Sequence, residues 1–96
     1  MQPNTIIAHR IIITGRVQGV GFRAFVLAQA QALGLDGFVR NRRDGSVEAL
    51  AKGEAAKVEA LIAQCRKGPP ASRVDSVDIA DAQGVVDTGF KHLPTV

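Results

Sequence analysis

Three glycines and a guanidinium share one short stretch of this sequence, Gly15-Arg16-Val17-Gln18-Gly19-Val20-Gly21-Phe22-Arg23. Glycine lets a backbone turn its N–H groups toward an oxyanion without a Cβ in the way. A helical pattern follows, so the loop opens into a first turn whose unpaired N–H groups and positive dipole end also favour an anion. Arg23 adds a planar, permanently charged fork that takes two phosphate oxygens at once. The chemistry indicated is phosphate binding, with the main-chain N–H groups of Gln18, Gly19, Val20, Gly21 and Phe22 as the cradle. The spacing matches neither the dinucleotide fingerprint nor the Walker loop, because no Lys-Ser or Lys-Thr follows the glycines. By spacing alone it equally fits a tight glycine turn with solvent-facing arginines.

A second cationic segment lies around Asn41. Arg16 and Arg23 stand in the first segment and Arg40, Arg42 and Arg43 in the second, so five of the twelve Lys and Arg residues fall in two short pieces of chain. The net charge of +3 and pI near 9.6 suit an anionic partner without naming one. An anion site therefore depends on the fold bringing the two segments together.

The elements that would do so are legible. Residues 6–13 are rich in isoleucine, interrupted by His9 and Arg10, and read as a strand buried on at least one face and ending at Thr14-Gly15. Phe22, Phe25, Val26, Ala30 and Leu33 have the spacing of an amphipathic helix capped by Gly34. Residues 37–41 and 46–51 read as strands joined by Arg42-Arg43-Asp44-Gly45, in which Asp-Gly is a strong turn signal. A second helix is expected from about Glu54 to Arg66, with Val58, Leu61, Ile62 and Cys65 on one stripe and Gly68-Pro69-Pro70 as its stop. Val74, Val77 and Ile79 predict a fourth, half-exposed strand, and residues 89–92 a short edge strand.

Strand, helix, strand, strand, helix, strand is the ferredoxin-like order, which predicts an α+β sandwich: an antiparallel sheet of four to five strands with two helices on one face. In a right-handed split crossover the strands before and after the first helix point the same way, with the hairpin partner between them. Both then finish at one edge, which places the loop of residues 15–21 beside Asn41.

At 96 residues the chain is expected to be a single domain over residues 1–96, and 46% hydrophobic with 22% charged residues is ordinary globular composition. One cysteine, Cys65, excludes an internal disulfide and a multi-cysteine metal site. Cys65 reads as a core residue of the second helix and His9 as a sheet or surface histidine. No His, Cys, Asp or Glu cluster has metal-ligand spacing, Asp75 and Asp78 reading as a solvated face, so neither metal nor cofactor is expected. The polar start and the interrupted run after Ile6 exclude a signal peptide and a membrane span there, which makes cytoplasm the expected location.

The string from Gly15 to Arg23 resembles the first signature of the acylphosphatase family, and Gly37-Phe38-Val39-Arg40-Asn41 followed by Asp44-Gly45-Ser46-Val47-Glu48 resembles its second. The resemblance runs from about Ile11 to Ile79 and includes Gly68-Pro69-Pro70-Ala71. Phe38 stands where the family more often has tryptophan, a packing variation, and Phe90-Lys91-His92-Leu93 matches the family's final strand loosely.

The resemblance implies hydrolysis of the carboxyl-phosphate bond of acyl phosphates, with Arg23 binding the phosphate and Asn41 orienting the attacking water. An amide can hold a water in line with phosphorus but cannot serve as a base. No separate base is evident, and a carboxylate leaves readily, so positioning and electrostatics suffice, with a phosphate oxygen taking the proton. Arg16, Arg40, Arg42 and Arg43 are candidates for long-range attraction of the substrate, or else solvated hairpin charges.

The expected partner is a small acyl phosphate and the expected form a monomer, with no membrane and no nucleic acid. An RNA-binding module of the same fold would stack bases on aromatic side chains, but the chain has four Phe and no Tyr or Trp, and Phe22, Phe25 and Phe38 are accounted for by packing. The closer alternative is an excised or regulatory acyl or carbamoyl phosphate-binding domain, since the module also occurs in larger proteins such as a hydrogenase maturation carbamoyltransferase. A start at methionine and an end just after the fold closes favour the free-standing enzyme.

Overall fold

The computed structural model describes residues 5–96. In chain order its elements are β1 (Ile6–Arg16), α1 (Phe22–Ala32), β2 (Asp36–Asn41), β3 (Val47–Glu54), α2 (Ala55–Lys67), β4 (Arg73–Asp81) and β5 (Phe90–His92). Both helices form because apolar residues recur every three or four positions: α1 buries Phe22, Val26 and Ala30, and α2 buries Val58, Leu61, Ile62 and Cys65. The strands alternate, so Ile11 and Ile13 of β1, Val39 of β2, and Val47, Ala49 and Ala51 of β3 face the helices in one core.

The sheet order is β4-β1-β3-β2-β5. β3 lies antiparallel between β1 and β2, which therefore run the same way, and β4 is antiparallel to β1. This is the ferredoxin-like arrangement. The fifth strand departs from the wholly antiparallel sheet expected: β5 pairs with β2 in parallel, Val39 opposite His92, so the sheet is mixed. Chain direction is the cause. β4 ends opposite His9, near the start of β1, and a segment leaving that edge for the outer side of β2 can only run as β2 runs. Leu93 N donates to Val39 O at 3.0 Å and Gly37 N to Gly89 O at 3.0 Å, fastening both ends of the short strand.

β1 extends further than its isoleucines indicated, and its register with β4 shifts between Thr14 and Gly15. Gly15 has φ +124°, and a Cβ there would lie 2.2 Å from the carbonyl oxygen of Arg73. Only glycine lets the strands approach this closely at the irregularity that releases the chain into the next loop.

Candidate active site

β1, β2 and β5 all finish at the edge where α1 begins, and an open cleft of about 250 Å³ lies there, lined among others by Gln18, Gly19, Gly21, Phe22, Arg23, Asn41 and His92. Of the residues expected at the site, Arg23, Asn41, Gln18, Gly19, Gly21 and Phe22 all reach the cleft. Val20 does not line it; its half-buried side chain packs against the hydrophobic core.

The loop is held from both sides. Val17 is buried, and Nε2 of Gln18 donates to the carbonyl oxygens of Arg42 at 2.7 Å and Ser46 at 2.8 Å. Gln18 thus ties the glycine loop to the β2–β3 hairpin, bringing Asn41 alongside. The hairpin has the turn its sequence predicts: Gly45 N donates to Arg42 O at 3.1 Å, and Asp44 Oδ1 accepts from both Ser46 N and Ser46 Oγ. These bonds hold the Asp44 carboxyl below its usual range, the Ser46 hydroxyl first.

Gly21 is the N-cap of α1 at φ +80°, ψ 18°, a left-handed conformation that glycine adopts without penalty. No side chain caps this terminus and no acidic residue occupies its first turn. The N–H groups an α-helix leaves unpaired here are therefore open to an anion. Phe25 N already bonds Gly21 O at 3.0 Å, which closes the first turn.

Arg23, one residue into that turn, is half-buried, and its Nη1 lies 2.7 Å from Nε2 of His92. Asn41 brings its amide to the same cleft, and its Oδ1 is buried with no hydrogen-bond partner within the protein. A buried acceptor without a partner is costly, and the residue that carries it lines the cleft, where a bound molecule would supply the missing hydrogen bond.

Glu48 was not singled out in the sequence. It is 3% exposed on the sheet face away from the helices, directly opposite Arg40 in the β2–β3 ladder. Its Oε1 accepts from Arg40 Nε at 2.7 Å and Arg42 Nη1 at 3.0 Å, and its Oε2 from Arg10 Nε at 2.6 Å. Burial pushes the carboxyl up, but the bonds from Arg40, Arg10 and Arg42 together outweigh it, and the net direction is down. Two of the arginines named as candidates for attracting substrate are thus bound to one carboxylate, while Arg16 and Arg43 stay exposed. The strand alternation of Ser46-Val47-Glu48 opposite Arg40 was the signal that could have found this cluster. His92 had no comparable signal, since it lies in neither signature and its strand matches the family only loosely.

Cys65 is fully buried, and burial pushes its thiol up to about 12, far from a nucleophilic thiolate. Among the described residues, no group of three or more His, Cys, Asp or Glu is placed to share a metal ion, and no helix is long and apolar enough to cross a membrane.

Comparison with known proteins identifies the family of the chain and its fold. The acylphosphatase family model matches residues 9–92. An acylphosphatase of Rhizorhabdus wittichii is 62% identical over 90 residues, covering 94% of this chain and 91% of the relative. The crystal structure of the Bacillus subtilis acylphosphatase superposes with a TM-score of 0.85 at 36% identity, covering 93% of this chain and 99% of that one. Full-length HypF in its phosphate- and nucleotide-bound form superposes with a TM-score of 0.87 at 32% identity over 98% of this chain, which spans 13% of that much longer protein.

Proposed function

The chain belongs to the acylphosphatase family, a family of hydrolases, and from that premise we propose that it splits acyl phosphates with Arg23 and the loop N–H groups holding the phosphoryl group and Asn41 orienting the attacking water. The observation that carries this assignment is the cleft that Arg23 and Asn41 share with the uncapped N-terminus of α1. The main-chain N–H groups of residues 18–22 and the guanidinium are donors without competing carboxylates, suited to equatorial phosphoryl oxygens whose charge is redistributed in the transition state. The partnerless Oδ1 of Asn41 accepts from the water and aims it at phosphorus. The water oxygen forms the new bond to phosphorus as the bond to the carboxylate oxygen breaks. The carboxylate leaves with that electron pair, and the water's proton passes to a phosphate oxygen.

None of these steps calls on a metal or cofactor, and the ligand proposed is a small acyl phosphate. Nucleic acid is not proposed: Phe22 is buried in the core with Phe25 packed against it, and Phe38 lies under the Arg40 guanidinium at 4.9 Å, so no free aromatic row is offered to bases. A cytoplasmic monomer is the proposed form, and the one cysteine, buried in the core, calls for no oxidising compartment.

Hydrolysis of benzoyl phosphate followed by absorbance in the presence of chelator tests the proposal. Arg23→Gln and Asn41→Ala, each confirmed folded, should each lose about a hundredfold or more in kcat, the scale of a lost transition-state contact. The HypF likeness favours a second reading, an acyl or carbamoyl phosphate-binding domain within a larger protein. That reading leads if folded wild-type protein binds phosphate but shows no hydrolysis above background.

A further inference from the structure

Arg23 has a partner that the motif does not contain. Its Nη1 is 2.7 Å from Nε2 of His92, and both residues line the cleft. A guanidinium has donors and no acceptor, so the bond has one direction: Nη1–H donates and Nε2 accepts. Among the described residues Arg23 makes no salt bridge. A carboxylate at this place would orient the guanidinium and cancel its charge together, whereas an imidazole acceptor orients it and leaves the charge for an anion.

The parallel course of β5 delivers this acceptor. His92 pairs with Val39, two residues before Asn41, and Phe90, on the same face of β5, is buried in the core as an anchor. We infer that His92 is a positioning residue whose Nε2 accepts from Arg23 and holds the guanidinium aimed into the cleft. The inference rests on the reading that Arg23 binds the phosphate.

Among the described residues, the elements around Arg23 offer its guanidinium no carboxylate side chain. Arg23 is the sole charged residue of α1, and the loop of residues 17–21 has none. On β2, Arg40 is turned to Glu48 on the far face, and Asp36 accepts from Gly89 N at the opposite end of β5. Lys91, between Phe90 and His92, lines a groove on the far face of the sheet.

The test compares kcat/KM for benzoyl phosphate, resolved into kcat and KM, in wild type, His92→Gln, His92→Leu and Arg23→Gln. Glutamine keeps an acceptor, while leucine removes it. His92 is exposed, so both variants should fold, checked by Tm. At pH 8 His92→Leu should fall about tenfold, the scale of one hydrogen bond, and His92→Gln should recover to within about threefold of wild type. A His92→Leu variant as active as wild type, or a His92→Gln variant as impaired as His92→Leu, overturns the inference while Arg23→Gln remains inactive. An active Arg23→Gln overturns the reading of the site itself.

Discussion

Two groups of arginines sit on opposite sides of this sheet, and one residue type does different work in each. On the open face, Arg10, Arg40 and Arg42 close on the buried carboxylate of Glu48. On the helix side, Arg23 meets the imidazole of His92 and an open cleft. In the first group the charges are partly neutralised and the bonds fasten neighbouring strands, β1, β2 and β3, together. In the second the charge is left for a ligand. What an arginine contributes thus depends on whether the fold supplies its anion or leaves that place to the substrate.

Crossing the two sites gives the largest expected effect. Arg23→Gln should lower kcat/KM at least a hundredfold, about 2.7 kcal/mol of transition-state stabilisation, and leave Tm nearly unchanged because the side chain is half-exposed. Glu48→Ala should do the reverse, lowering Tm by roughly 10 °C through a loss of about 2 kcal/mol, with kcat/KM of the folded fraction within about threefold of wild type. Thermal melts and initial rates on the same preparations check both. A large activity loss in folded Glu48→Ala would erase the distinction between the two groups.

The acid side sharpens it. Glu48 titrates below its ordinary 4.5 in the folded protein, so its contribution to stability is fully present above that value and is lost as pH falls through the lower folded one. Urea midpoints from about pH 6 down to 3 should therefore fall less steeply in Glu48→Gln than in wild type, because the variant lacks that titration.

The smallest effect concerns the arginines that neither site holds. Neutralising Arg16 and Arg43 together should lower kcat/KM about twofold at low salt and hardly at all near 0.5 M, because screening removes long-range attraction. An equal loss at both salt levels would show that these side chains act by contact.

Much of the cleft could be read from the chain because its parts are local. Gly21 serves a left-handed N-cap, the spacing of Phe22, Val26 and Ala30 makes the helix that carries Arg23, and Asp44-Gly45 makes the turn that follows Asn41. The apolar stripes of α1 and α2 placed the helix side of the core. The ferredoxin-like order then put the loop and Asn41 at one edge, since the strands flanking a split crossover run the same way. Less legible were the exact strand ends, such as the extension of β1 through the irregularity at Gly15, where pairing with β4 outweighs a local glycine signal.

The sequence by itself determined the elements, their order and the permanently charged and amide groups at the cleft, because backbone preference and residue periodicity act over a few positions. Only the tertiary structure decided that β5 runs parallel to β2, that Glu48 takes up three guanidinium groups, and that His92 reaches Arg23 from 69 residues away. Those choices depend on which strand lies beside which and in what register, which pairs residues far apart in the chain and not only neighbours within one hairpin.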